Sequence, residues 1–103
     1  YLTVPFVLSW SALEALSTGC AFVGSDTPPV REFVTHDENG LLVDFFDVEA
    51  LAVSIARARA GGPDIDAMRA QARKTIIRTW SAAAAIDRHL ALVSRLLPDL
   101  QKL

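Results

Sequence analysis

Ser9, Ser11 and Glu14, in the stretch "SWSALEALSTGC" from Ser9 to Cys20, combine residue types and spacing that suit chemistry. Two hydroxyls one residue apart, where an apolar run gives way to a helical pattern, can converge with free backbone N–H groups on one anion. The partial positive charge of a helix start favours a phosphate, and a diphosphate is the guest expected there. A carboxylate one turn further in can accept both hydroxyls of a ribose. The same residues also have a plainer reading. Ser11 and Glu14 stand three apart, the spacing of a capping box, in which each side chain satisfies a backbone donor at the helix start. Local sequence taken alone favours the cap.

Either role needs elements to hold these residues in place. "YLTVPFVL" predicts a short strand over Leu2 to Val4, stopped by Pro5. From Ser11 the spacing of Leu13 and Leu16, and of Ala12 and Ala15, predicts a helix of about two turns, ended by Gly19. "CAFVGSD", Cys20 to Asp26, has the continuous apolar pattern of a strand covered on both faces. Pro28 and Pro29 predict a loop, followed by one or two helical turns in "VREFV", and Asp26 is expected to cap the Pro28 turn. Asn39 and Gly40 form a turn directly before a further strand at Leu41 to Val43.

Three helices are expected to complete the chain. Asp47 caps one from Val48 to about Ala60, with Glu49 in its first turn and Arg57 and Arg59 in its last, as the helix dipole favours. Gly61 and Gly62 end it. A second runs from about Pro63 to Arg78 with Ile65, Met68, Ala72 and Ile76 along one side. Ser81 caps the third, whose Ile86, Leu90, Val93 and Leu97 form an apolar stripe. Short strands separated by helices predict an α/β fold: a partial Rossmann-like parallel sheet of about three strands flanked by helices, with C-terminal helices. In such folds ligands bind beyond the carboxyl ends of the strands, and Ser9 to Ser11 lies at such an end.

Composition narrows the function. The 103 residues make one domain at most, burying roughly two thirds of the surface of the unfolded chain. With 51% hydrophobic and 21% charged residues and a net charge of -2, the chain reads as an ordinary globular protein. Its ten Lys and Arg residues are spread from Arg31 to Lys102 and balanced by twelve acids, so no nucleic-acid partner is expected. The single cysteine, Cys20, rules out an intrachain disulfide and suits a reducing compartment. No apolar run approaches the roughly 20 residues needed to cross a bilayer. The chain begins at Tyr1, inside an apolar run, and looks like a piece of a longer protein.

Other conspicuous residues have bland expectations. His36 and His89 lack partners at metal-ligand spacing and belong to a loop and a helix surface. Cys20 opens an apolar run with no base nearby, so an inert buried thiol is expected. Trp80, beside a cap, is a packing anchor. Trp10 either packs under the loop or stacks on a ligand, and packing is the favoured reading.

The segments "SALEALSTGCAFVGSDTPPVREFV" and "THDENGLLVDFFDVEALAVSI", followed by Gln71-Ala72-Arg73 and Thr79-Trp80-Ser81, occur in one order along the chain. In that order they resemble the nucleotide-sugar half of GT-B glycosyltransferases, in particular family 4 (group 1). The family shows a Glu-x7-Glu motif, then "EAMACGxPVVxSDxGGxxE", then "xxGENGLLVxxxDxxALAxAI". The resemblance covers nearly the whole chain and makes residues 1–103 the C-terminal half of a donor-binding domain. It implies retaining, metal-independent sugar transfer from a nucleotide sugar of UDP or GDP type, with no other cofactor. By position, Ser9, Trp10 and Ser11 would line the diphosphate, and Glu14, the second glutamate of the motif, would hold the ribose. Glu32 matches the last glutamate of the second pattern and either structures its loop or faces the donor.

The departures carry expectations too. The first motif glutamate falls at Phe6, which has no carboxylate, and Pro28 and Pro29 stand where the family often has two glycines. Recognition of the donor sugar is therefore expected to differ. The family's basic residues that neutralise the leaving diphosphate lie upstream of this segment, as does the acceptor domain. No catalytic residue is expected within the chain, and the chain alone is expected to be inactive. Its expected partners are a nucleotide-sugar donor, the N-terminal acceptor domain and, through apolar edges, a second copy. A cytoplasmic location is expected, with peripheral membrane association of the full-length protein. Two other classes compete: a nucleotide-sugar 2-epimerase, which shares the GT-B fold, and a non-catalytic interaction module in which Ser11 and Glu14 are only a cap.

Overall fold

The centre of the fold is a pair of short apolar strands, β1 (Val23–Ser25) and β2 (Leu41–Val43), in a computed structural model that describes residues 9–97. They run parallel, with Val23 opposite Leu41, Gly24 opposite Leu42 and Ser25 opposite Val43. The strand expected at Leu2 to Val4 lies outside the described residues, as does Phe6. The strand expected over Cys20 to Asp26 is shorter than its apolar run. Cys20 is still closing the preceding helix, its N–H donating to Ala15 O at 3.0 Å after Gly19 turns the chain with φ of +78°. It cannot join the ladder, and it is exposed rather than buried, its Sγ 3.4 Å from Thr18 Oγ1.

Around the strands lie α1 (Trp10–Ser17), α2 (Pro28–Arg31), α3 (Val48–Ala60), α4 (Pro63–Trp80) and α5 (Ala82–Leu96). The last three begin where their local signals place them. Asp47 caps α3 by accepting the Ala50 N–H at 2.9 Å, and Ser81 caps α5 by accepting the Ala84 N–H at 3.3 Å. The loop expected at Pro28 and Pro29 is instead the first turn of α2. Proline lacks only an N–H that a helix start leaves unpaired anyway, and its fixed φ is already helical, so it opens a helix as readily as it breaks one.

Alternation along the strands sends apolar side chains to both faces of the sheet. One cluster joins Ala12 and Leu16 of α1 to Phe22, Val30, Phe33 and Val34 and to Ala72 and Ile76 of α4, with Leu42 and Trp80 at its margin. Phe22 and Phe33 meet edge to face, their centroids 6.1 Å apart. The other cluster joins Val23, Leu41 and Val43 to Ile65 and Met68 of α4, with Ala50, Leu51 and Ala58 of α3 packed on it. The predicted stripe of α4 thus serves both clusters, its first half one and its second half the other. Two of its basic residues also reach the end of α1: Arg69 Nε donates to Gly19 O at 2.6 Å, and Arg73 donates to Ser17 O. A helix as short as α1 is marginal by itself, so packing and these cationic contacts at its C-terminal end hold it.

The loop entering β2 is built on a buried side chain. Asn39 Oδ1 accepts the Thr35 N–H at 2.7 Å, and its Nδ2 donates to Phe33 O at 2.9 Å. Beside it Gly40 has no room for a side chain, because a Cβ there would lie 2.8 Å from Val34 Cγ1. Asn39→Ala leaves two backbone groups without partners. An expected loss of about 2 kcal/mol, typical for such orphaned groups, should appear as a lower urea midpoint at unchanged slope.

The chain is elongated, 57 × 28 × 17 Å with a radius of gyration of 16.5 Å, against roughly 13 Å for a compact chain near this length. α5 accounts for much of the difference in character, because it buries no residue and leaves the predicted stripe of Ile86, Leu90, Val93 and Leu97 exposed. Its first turns sit beside Trp80, which packs at the core margin as expected with the Arg88 guanidinium 5.1 Å from its ring centre. Among the described residues no helix is long and apolar enough to cross a membrane.

Candidate donor site

The start of α1 is set by Ser9. This residue is extended, with φ of -88° and ψ of 119°, and its Oγ accepts the Ala12 N–H at 3.3 Å while its carbonyl accepts the Leu13 N–H at 3.1 Å. The capping box expected between Ser11 and Glu14 therefore does not form. Ser9 takes the cap two residues earlier, which puts Ser11 inside the first turn and Glu14 beyond the position from which a side chain reaches back to the cap. Ser11 Oγ lies 3.0 Å from Ser9 Oγ, so the two hydroxyls do converge. A helix start leaves its first N–H groups without intrahelical partners. That of Ala12 is taken by Ser9, and those of Ser9, Trp10 and Ser11 have no partner among the described residues.

Trp10 does not pack under the loop: its side chain is 81% exposed. The reason is helical phase. Trp10 and Glu14 each lie two residues, about 200° of rotation, from the core-facing Ala12 or Leu16. They are four residues apart and so share one face of α1, pointing into solvent. Among the described residues no hydrogen bond or ion pair engages the Glu14 carboxylate; only its carbonyl is used, by Ser17 Oγ at 2.7 Å and the Thr18 N–H at 3.1 Å.

α1 leads into the amino end of β1 and packs against α4. Asp26 follows β1 directly. It does not cap the next turn; the cap position of α2 is Thr27, and Asp26 instead pairs with Arg31 Nε at 2.6 Å. The Arg31 hydrogen bond holds the Asp26 carboxyl below the usual carboxylate range. A cation one helical turn away draws the carboxylate more strongly than a second role as a cap. The Thr27 hydroxyl is buried without a hydrogen-bond partner among the described residues. Glu32 is exposed at the C-cap of α2.

A shallow groove of about 660 Å³ opens elsewhere, lined by Asp37, Glu38, Arg57, Asp64, Met68 and Gln71. Its three carboxylates repel a diphosphate, and its guanidinium is already committed to Asp37 at 2.5 Å. The groove is therefore the less suitable anion site despite its size. Asp37 has φ of +61°, a left-handed conformation that aspartate tolerates better than most residues, and the Arg57 hydrogen bond holds its carboxyl below the ordinary value. A carboxyl lowered in the folded state contributes stability above its unfolded value of about 3.9 and loses it as pH falls through the folded value. Arg57→Ala should return the Asp37 carboxyl toward the ordinary range in a carbon-13 NMR titration. Among the described residues no cluster of three His, Cys, Asp or Glu side chains is arranged to hold a metal ion.

Sequence reasoning did not assign the contacts of Arg69 and Arg73, which fix the far end of the site helix from 50 and 56 residues away. Arg73 lies in the Gln71-Ala72-Arg73 segment, but nothing local announces which carbonyl it seeks.

A parallel sheet flanked by helices defines a partial Rossmann-like unit. The family model for glycosyl transferases group 1 matches residues 7–75, and the chain belongs to that family. The match takes in α1, both strands and most of α4, and stops short of α5. No curated protein shows significant similarity to the chain. Glycosyl transfer is the general chemistry of that family.

Proposed function

We propose that this chain carries part of the donor site of a retaining, metal-independent glycosyltransferase that uses a nucleotide sugar of UDP or GDP type. The observation that supports it most is the pair of hydroxyls 3.0 Å apart at a helix start whose first N–H groups have no partner among the described residues, in a chain of this family. Ser9, Trp10 and Ser11 receive the diphosphate through backbone N–H groups and hydroxyls, aided by the helix dipole. Glu14, one turn along the same exposed face, accepts the ribose hydroxyls. The rise between Trp10 and Glu14 is about 6 Å, comparable with the step from a diphosphate to its ribose.

Transfer requires the leaving diphosphate to gain charge as the sugar departs. Dipoles and hydroxyls orient that group, but full stabilisation calls for positioned cations. The acceptor domain and those cations belong to other parts of a longer enzyme, so the chain binds donor without turning it over. Calorimetric titration with UDP and GDP tests this. One of the two should bind, with the same affinity in the presence of a chelator, and sugar transfer by the chain alone should stay at trace level. Absence of binding at millimolar nucleotide, with Glu14→Ala merely less stable, would replace the donor site with an interaction module.

A further inference from the structure

The loop before β2 carries an arrangement that the donor site does not use. β2 pairs with β1 on one side, where the Leu41 N–H donates to Phe22 O at 2.9 Å. The next N–H, that of Leu42, points the other way, to a side where no strand lies among the described residues. His36 Nδ1 accepts it at 2.9 Å. To accept, Nδ1 must hold a lone pair, so the neutral ring carries its proton on Nε2, which faces Asp37 Oδ2 at 3.3 Å. The backbone places the ring firmly: His36 bridges to Gly40, and Asn39 ties the loop to Thr35 and Phe33.

We propose that His36 is a proton-gated latch on the open edge of β2: the neutral imidazole ties the Leu42 N–H to the loop, and protonation of Nδ1 releases it. In the protonated ring both nitrogens are donors, so Nδ1–H and the Leu42 N–H confront each other and the bond is lost. Imidazole is the side chain whose charge ordinarily changes between pH 5 and 8. The groups around the ring are Asp37 on its own loop, paired with Arg57 of α3, and Asp26 after β1, paired with Arg31 of α2. Each carboxylate is paired with its guanidinium partner. Release leaves an unpaired N–H on a strand edge, the feature to which an added strand pairs.

Nitrogen-15 shifts of the imidazole and residue-resolved hydrogen exchange in the intact protein, between pH 8 and pH 5, test the latch. The Nε2–H tautomer is expected at pH 8. Corrected for intrinsic exchange, protection at Leu42 should fall roughly tenfold toward pH 5 while that at Leu41 holds, the scale of one lost hydrogen bond. His36→Gln, whose Oε1 accepts at any pH, should flatten the Leu42 profile. An Nδ1–H tautomer at pH 8, equal falls at Leu41 and Leu42, or an undiminished fall in His36→Gln would overturn it.

Discussion

Leu16→Ala is expected to remove about 3 kcal/mol of folding stability. Leu16 is wholly buried and packs in the cluster formed by α1, Phe22, the α2 segment and the second half of α4. Truncation loses the transfer free energy of three carbons and leaves a cavity whose cost depends on how far the walls can close. Here they are restrained. α1 is tied at its far end by Arg69 and Arg73, and Phe22 and Phe33 brace each other edge to face. Against a total stability of about 5 to 10 kcal/mol for a domain of this size, the loss is a large fraction. Urea unfolding should show a lower midpoint at constant slope, and a change under about 1 kcal/mol would mean that the site collapses freely. Because Leu16 anchors the helix whose first turn holds Ser9 and Ser11, nucleotide affinity should fall with stability.

Glu14→Gln should show the opposite pattern. On the proposed reading, a carboxylate accepting ribose hydroxyls makes charge-assisted hydrogen bonds worth about 1.5 to 3 kcal/mol. Their loss weakens nucleotide binding roughly tenfold to a hundredfold. Stability should stay within about 0.5 kcal/mol, because the side chain is exposed and nothing among the described residues engages its carboxylate. Calorimetric titration beside a urea curve separates the two effects. Unchanged nucleotide affinity would remove Glu14 from the donor site, while a drop in stability alone would restore it to a purely structural role. Read together, the two substitutions distinguish a residue that builds the site helix from one that faces the ligand.

Much of the fold is written locally. α3, α4 and α5 begin at Asp47, Gly62 and Ser81, where caps and glycines stand, and the four buried residues of α4 are those its periodicity selects. β2 occupies its apolar run, but the turn before it spans residues 37–39, and Gly40, expected within the turn, instead bridges to His36. The errors fall where one residue offers two local outcomes. Ser9 and Ser11 compete for one cap, and Pro28 and Pro29 either break a helix or begin one. Cys20 belongs by hydropathy to a strand but by hydrogen bonding to the end of α1.

For the candidate site, the sequence by itself determined which residues stand there and that they match a glycosyltransferase family, because residue types and spacing along one chain carry that information. Tertiary structure alone decided the rest. Trp10 faces solvent because α4 claims the opposite side of α1. Arg69 and Arg73 cap a helix from far along the chain, and His36 reaches the edge of β2 because a buried asparagine folds its loop back. Such contacts depend on where packing sets one element against another, and no periodicity within a single element encodes that distance.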